Sequence, residues 1–289
     1  MTDTTASSGG GRSRSWVPGV VLVVGGLLWT IPTIGLLVTS LRPRAEVERS
    51  GWWSALLSPF DSEWTLTNYD QVLSTGGMFD SFLNSIAVTV PATIIPIMFA
   101  AFAAYAFTFM EFRGRDVLFM VIIALLVVPI QSTFVYLLQL FGDEGWGITG
   151  QFLSMWLLHT TFGMPLAILI LRNFMSTLPR SVIESAKIDG ATHFQTFWKL
   201  IVPMSIPALA AFAIFQFLWV WNDLLVALLF LGFEDPTVTV TLSQLLGRLG
   251  QGWQLLTAGA FVTMVIPMIV FFALQRFFVR GMTSGAVKG

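Results

Sequence analysis

Charged residues along the chain gather in short clusters, and long apolar stretches separate them. Six stretches of 27, 30, 26, 27, 23 and 27 residues contain no Asp, Glu, Lys or Arg: 15–41, 81–110, 117–142, 145–171, 200–222 and 249–275. A helix crossing the hydrocarbon core needs about 20 mostly apolar residues. The pattern therefore predicts an all-α integral membrane protein with six transmembrane helices, over about 17–41, 82–108, 117–140, 152–171, 203–222 and 253–275. Barrel strands would show about 9–11 residues of alternating pattern, whereas these runs are continuously apolar. Helices also satisfy every backbone group internally, as lipid requires. The 10-residue run 224–233 is too short to cross and predicts a half-helix or re-entrant piece. After it, Val238, Val240 and Leu242 alternate as in a strand.

The first span is too long for the apolar region of a signal peptide. No small-residue cleavage site follows it, because Leu41-Arg42-Pro43-Arg44 comes next. It reads as an uncleaved anchor. Residues 1–14 are rich in Ser, Thr, Gly and Arg and are expected to be disordered.

Composition agrees with a bilayer as solvent. Hydrophobic residues make up 55% and charged residues 11%, against about 45–50% and 25% in a soluble domain. The mean hydropathy is +0.78. A soluble globule of this kind would expose large apolar patches. A net charge of −1 leaves no basic footprint for nucleic acid. The absence of cysteine excludes disulfides, thiolate nucleophiles and Cys-based metal sites. Two histidines, His159 and His193, give a metal site or a catalytic triad little to work with, so none is predicted.

Lys and Arg in the loops set the expected orientation. With the N-terminus inside, 11 basic residues face the cytoplasm and 4 face outward. The chain is thus expected to be multi-pass, N-in and C-in. The long outer loop 42–80 carries Trp52, Trp53 and Trp64, suited to the headgroup level.

The inner loop between spans 4 and 5 holds the most information. Ser181 and Glu184 have capping-box spacing, which predicts a helix start. Gly190 can adopt the left-handed conformation that ends a helix. Thr192 and Gln195 repeat the spacing, and Phe194, Phe197, Trp198 and Ile201 follow at helical intervals into span 5. The expectation is a short helix, a sharp bend and an amphipathic helix entering the membrane. Such a unit suits either an amphipathic loop on the headgroups or a knob for docking another protein.

This segment resembles the signature loop of binding-protein-dependent ABC importer permeases. The family pattern is Glu-Ala-Ala, three residues, Gly, nine residues, then Ile-x-Leu-Pro. Here Glu184-Ser185-Ala186, Gly190 and Leu200-x-Val202-Pro203 stand at the same spacings. Ser185 for Ala, Leu200 for Ile and Val202 for Leu are mild departures in size. Thr65 to Tyr69, Asn84-Ser85, Trp221-Asn222-Asp223 and the terminus Gly281 to Gly289 are similar to the carbohydrate-importer subset, of maltose type. The stretch 236–259 is similar to the alpha-glucoside branch. The resemblance implies a helix between spans 4 and 5 that sits in a groove of an ATP-binding subunit. Closure of the ATPase dimer would then move the helix as a lever. By position, Glu184, Ser185, Ala186, Asp189 and Gly190 would make the contact. The segment 224–252 would meet an extracytoplasmic solute-binding protein. A second permease subunit, a sugar substrate and membrane lipid complete the implied partners.

The chain holds no phosphate-cradling motif. None of Lys187, Lys199 and Lys288 has the glycine before it and the Ser or Thr after it that such a loop needs. No cofactor is expected on this chain; ATP would be bound and hydrolysed by partner subunits. The alternative is an ion-coupled secondary transporter, which usually places charged residues inside its spans. Only His159 is ionisable well within one, and a hydrogen-bonded packing role is its commoner use. A membrane-embedded enzyme would need a site such as Asp223 with Glu234 and Asp235, which reads rather as a solvated loop face. Polar and aromatic candidates for a sugar pathway are Asn84, Gln131, Thr133, Tyr136, Gln216, Trp219 and Asn222. Gln216, Trp219 and Asn222 share one helical face by spacing. Helix–helix hydrogen bonding is the commoner role for each. Prolines 91, 96, 129, 165, 203, 207 and 267 suit a bundle of kinked helices.

Overall fold

The computed structural model describes residues 16–74, 77–245 and 252–286, with backbone alone over 277–286. The disorder expected over 1–14, the 246–251 part of the outer segment and the side chains of the Gly281 to Gly289 terminus lie outside the described residues.

Every regular element among the described residues is a helix. Helix α1 (Val17–Ser40) leads through short α2 (Arg44–Arg49), α3 (Trp52–Leu57) and α4 (Thr67–Ser74) to the long α5 (Met78–Phe109). Then follow α6 (Arg115–Ala124), α7 (Ile130–Phe141), α8 (Phe152–Met175), α9 (Arg180–Ile188), α10 (His193–Thr196), α11 (Val202–Trp221), α12 (Leu225–Phe230), α13 (Val238–Gln244) and α14 (Trp253–Ala286). Five of these helical segments are long and apolar enough to cross a membrane, the fourth running unbroken from His193 to Trp221.

The third expected span is not one helix. Arg115–Val127 and Ile130–Phe141 meet at 97°. Val128 has ψ 119° and Pro129 caps the second piece. Proline drives the preceding residue out of the helical region and cannot donate to the preceding turn. The break therefore sits where hydropathy alone shows a continuous apolar run.

Helices α5, α8 and α11 form the centre. Their contact surfaces are small: Ala92, Ala100, Ala101 and Ala104 on α5, Gly163 and Ala167 on α8, and Ser205 and Ala208 on α11. Without a hydrophobic driving force in lipid, close backbone approach and interhelical hydrogen bonds hold such helices. Gln216 supplies the bonds. It is fully buried, and its Nε2 donates to Ala92 O at 3.1 Å and His159 O at 3.2 Å, tying α11 to both neighbours. Helix α1 lies at the edge, exposed over most of its length, as a lipid-facing anchor should be.

The outer loop folds onto the end of this bundle. Arg42 is buried, and its guanidinium donates to the carbonyls of Glu46, Ser50 and Gly51. Asn68 Nδ2 donates to Ser40 O and Arg42 O, which fixes α4 against the end of α1. The Trp52 indole packs on Gly35, where a Cβ would come within 2.8 Å of the ring.

Two local expectations are corrected. The alternating 238–242 stretch is helical, not strand-like, because Val238 N–H donates to Ser85 Oγ and its Val238 and Val240 side chains are buried in the bundle. Helix α9 starts two residues earlier than the Ser181 box would set it. Pro179 is its N-cap, so Ser181 lies in the first turn and caps nothing.

A methyl group added at Gly163 would lie 2.7 Å from Gln216 Oε1. That amide is the end of a flexible chain, but its two bonds to carbonyls hold it in place. Gly163→Ala should therefore displace it and leave a buried amide unpaired, at about 1–3 kcal/mol. A lowered melting temperature of the purified protein, restored in part by Gly163→Ala with Gln216→Leu, is the expected measurement.

Candidate functional site

The α9–α10 unit is built by local chemistry. Asp189 is the C-cap of α9, and Gly190 follows at φ +76°. Gly190 N–H donates to Lys187 O at 3.1 Å and Ala191 N–H to Ala186 O at 2.9 Å. These are the two bonds of the Schellman motif, which satisfies the last carbonyls of α9. Thr192 then caps α10 with a reciprocal box: Gln195 N–H donates to Thr192 Oγ1, and Thr192 N–H donates to Gln195 Oε1 at 2.9 Å. Two helices thus meet at one glycine, with no slack residue between them.

The unit rests on the bundle through apolar and aromatic contacts. Ile183 and Ala186 are buried on the inner side of α9. Tyr105 of α5 meets His193 with its Oη 2.9 Å from Nδ1. Phe102 stacks on Phe197 with ring centroids 4.6 Å apart. Between α10 and α11, residues Phe197–Ile201 form a π-helical turn. Pro203 lacks the N–H that Lys199 O would receive in an α-helix, and Val202 N–H reaches back to Phe197 O instead. The wider turn absorbs the lost bond and keeps the chain helical into the membrane.

Four of the five expected contact residues gather in one place. Ser185, Ala186, Asp189 and Gly190 line a groove of about 650 Å³ between α9 and the start of α10, closed by Lys199 and Gln195. Glu184 lies on the other flank. It lines a smaller cavity of about 230 Å³ with Arg180, Lys187, Glu111 and Arg115. Ile188 is 86% exposed and Phe194 68% exposed at the tip. Tyr105 and Phe102 were not among the expected site residues. They stand more than 80 positions before their partners, and no local pattern marks such a contact.

The expected pathway residues occupy different settings. Gln131 and Tyr136 are exposed on α7, beyond the Pro129 break, and Thr133 donates to Ile130 O. Gln216 is the buried link described above. Trp219 is half-buried with its ring edge-on to His159, centroids 5.2 Å apart. Asn222 is exposed, and its Nδ2 donates to Leu218 O on its own helix at 2.7 Å. The common face that the spacing gives Gln216, Trp219 and Asn222 thus runs from the bundle interior to its surface. Asn84 donates to Pro236 O at 3.2 Å, joining α5 to the segment before α13.

His159 is fully buried in α8, and its ring nitrogens have no hydrogen-bond partner among the described residues. The hydrogen bond expected for it is replaced by packing on Trp219 and by Asp223 Oδ2 at 3.8 Å. Asp223 is no solvated loop residue. Its carboxylate accepts from Ala227 N–H at 3.0 Å and Val226 N–H at 3.4 Å, starting α12. Burial pushes this carboxyl above the ordinary carboxylate value, against the pull of those two N–H groups. The run 224–233 is thereby a short helix tied to α8 and α11, too short to cross.

Known proteins place this architecture. Residues 96–284 match the model of the family described as the binding-protein-dependent transport system inner membrane component. The chain is 52% identical over 264 residues to the osmoprotective compounds uptake permease protein GgtD of Synechocystis, covering 90% of this chain and 88% of that protein. It is 42% identical to the alpha-glucoside transport system permease protein AglG of Rhizobium meliloti, covering 93% and 96%. The fold matches that of a chain from a bacterial ABC transporter involved in import of the acidic polysaccharide alginate, with TM-score 0.73, 23% identity and coverage of 95% and 100%. A helical bundle of this order, with its glycine-bent unit ahead of the penultimate span and relatives matched nearly end to end, belongs to the inner-membrane permease family of binding-protein-dependent ABC importers.

Proposed function

We propose that this chain forms half of the translocation pathway of an ATP-driven sugar importer, and that the α9–α10 unit is its coupling element. The observation that carries the reading is the glycine-bent pair of helices, presented at one end of the bundle and seated on α5 through Tyr105 and Phe102. An ATP-binding subunit seated on α9 would contact Ser185, Ala186, Asp189 and Gly190 in the groove, with Glu184 on the adjoining flank. Because α10 continues through the π turn into α11 without a hinge, a push on α9 is delivered to a membrane-spanning helix. In this reading the end bearing α9 faces the cytoplasm, as the loop charges indicate.

Two relatives support a saccharide as cargo: the alpha-glucoside permease and the trehalose transport system permease protein SugB of Mycobacterium tuberculosis, 34% identical over 286 residues. The ATPase dimer, the second permease and a solute-binding protein on the opposite face belong to the same proposal. Catalysis of ATP hydrolysis would rest with the partner, since no phosphate-cradling loop is present in this sequence.

Gly190→Pro cannot adopt φ +76°, and with Glu184→Ala it should abolish co-purification of the ATP-binding subunit while membrane insertion stays normal. Wild-type chain that binds no such subunit and takes up alpha-glucosides on an ion gradient alone would falsify the coupling. Tyr105→Phe should leave the ATPase bound. It removes one hydrogen bond of about 1 kcal/mol beneath the lever, so uptake per ATP hydrolysed should fall. Unchanged stoichiometry of transport to hydrolysis would show that Tyr105 only packs.

A further inference from the structure

At the end of the bundle opposite α9, the outer loop and the start of α14 enclose a cleft of about 710 Å³. We propose that it is a saccharide-binding subsite at the outer mouth of the transporter, separate from the pathway between the spans. This rests on the reading of the cargo as a sugar.

The polar content of the cleft is unusual in one respect. Gln254 is 94% buried by its 6% exposure, it lines the cleft, and its side chain bonds to none of the described residues. Its small remaining exposure is toward the cleft, so its amide donor and acceptor are open to whatever occupies it.

The opposite wall supplies an apolar plate. Trp64 is 45% exposed, and its Nε1 already donates to Pro59 O at 2.9 Å. The indole is thereby held in place with its polar atom occupied, so it offers ring surface alone. An aromatic face with amides and a carboxylate around it matches a pyranose, which has an apolar C–H face and a rim of hydroxyls. Gln71 and Glu63 provide that rim.

Two features fit a neutral ligand. Arg44 in the cleft wall is engaged by Glu48, with Nε 2.7 Å from Oε1. With that charge met, the cleft wall offers no unengaged guanidinium to draw an anion. The floor is also preorganised: Asn68 is pinned by the carbonyls of Ser40 and Arg42. A rigid site avoids the ordering cost of binding. The volume suits one or two sugar rings, since pockets for small molecules run to about 300–1,000 Å³.

The test uses the assembled transporter in lipid nanodiscs, without solute-binding protein, and saturation-transfer NMR with maltose and with trehalose. Wild type should show transfer to at least one of them. Gln254→Leu, Trp64→Ala and Gln71→Leu should each weaken it about tenfold, the equivalent of one lost hydrogen bond or stacking contact. Gln71 is exposed, so its variant keeps the test open if a change at Gln254 impairs assembly. Uptake assisted by the solute-binding protein separates the outcomes. If wild type imports either sugar but shows no transfer, or if all three variants keep the wild-type signal, the subsite is wrong and the import reading stands. If neither sugar is imported or bound, both fall. Variants that lose stimulation of ATP hydrolysis by the solute-binding protein, with sugar transfer unchanged, would make the cleft a protein-docking surface and overturn the proposal.

Discussion

Hydrocarbon offers no partner to a backbone N–H or C=O, and this one constraint organises the molecule. Helices meet it along their length. The demanding places are those where the helix must stop or turn, and there the chain brings its own hydrogen bonds. At Gly190 the Schellman bonds close α9. At Pro203 a π turn takes up the missing donor. At Asp223 a carboxylate accepts the first N–H groups of α12. At Val238 the hydroxyl of Ser85 meets a free N–H. At Gly190, Asp223 and Val238 the chain also changes direction, whereas at Pro203 the repair keeps one helical segment running from His193 to Trp221.

The same constraint explains how the centre holds. Leucine against leucine gives little advantage over leucine against lipid, so α5, α8 and α11 meet through alanines, glycine and serine. One long polar side chain, Gln216, then links all three. A bundle held by close contact and a few directed bonds can shift as units. That property fits a chain in which α9 connects, through α10 and the π turn, to α11.

The two ends of the bundle are built differently. The α9 end exposes apolar tips, Ile188 and Phe194, around a groove formed by small residues. The other end is closed by a polar lattice of buried Arg42, Asn68 and Ser40, with an aromatic and amide-lined cleft beside it. The two ends thus present different surfaces, small residues with apolar tips at one and a polar, aromatic-lined cleft at the other.

Much of this was legible from the residues alone. Hydropathy marks the candidate crossings because it depends on composition over about 20 residues and on nothing distant, and five of the six stand as single long helices. The Gly190 bend, the Thr192 box and the family resemblance of the 184–203 loop are also local, set by residues a few positions apart. Tertiary structure alone decided the rest. The third span is broken at Pro129, though proline elsewhere in these helices, as at 91, 96 and 165, leaves the helix intact. The 238–242 stretch is a helix because Ser85, more than 150 positions away, receives its first N–H. Gln216 turned out to be a buried link and Asp223 a partly buried cap, while Asn222 beside it faces outward. Spacing ranks residues around one helix axis, but which side meets protein, lipid or water depends on neighbours that only the packed bundle supplies.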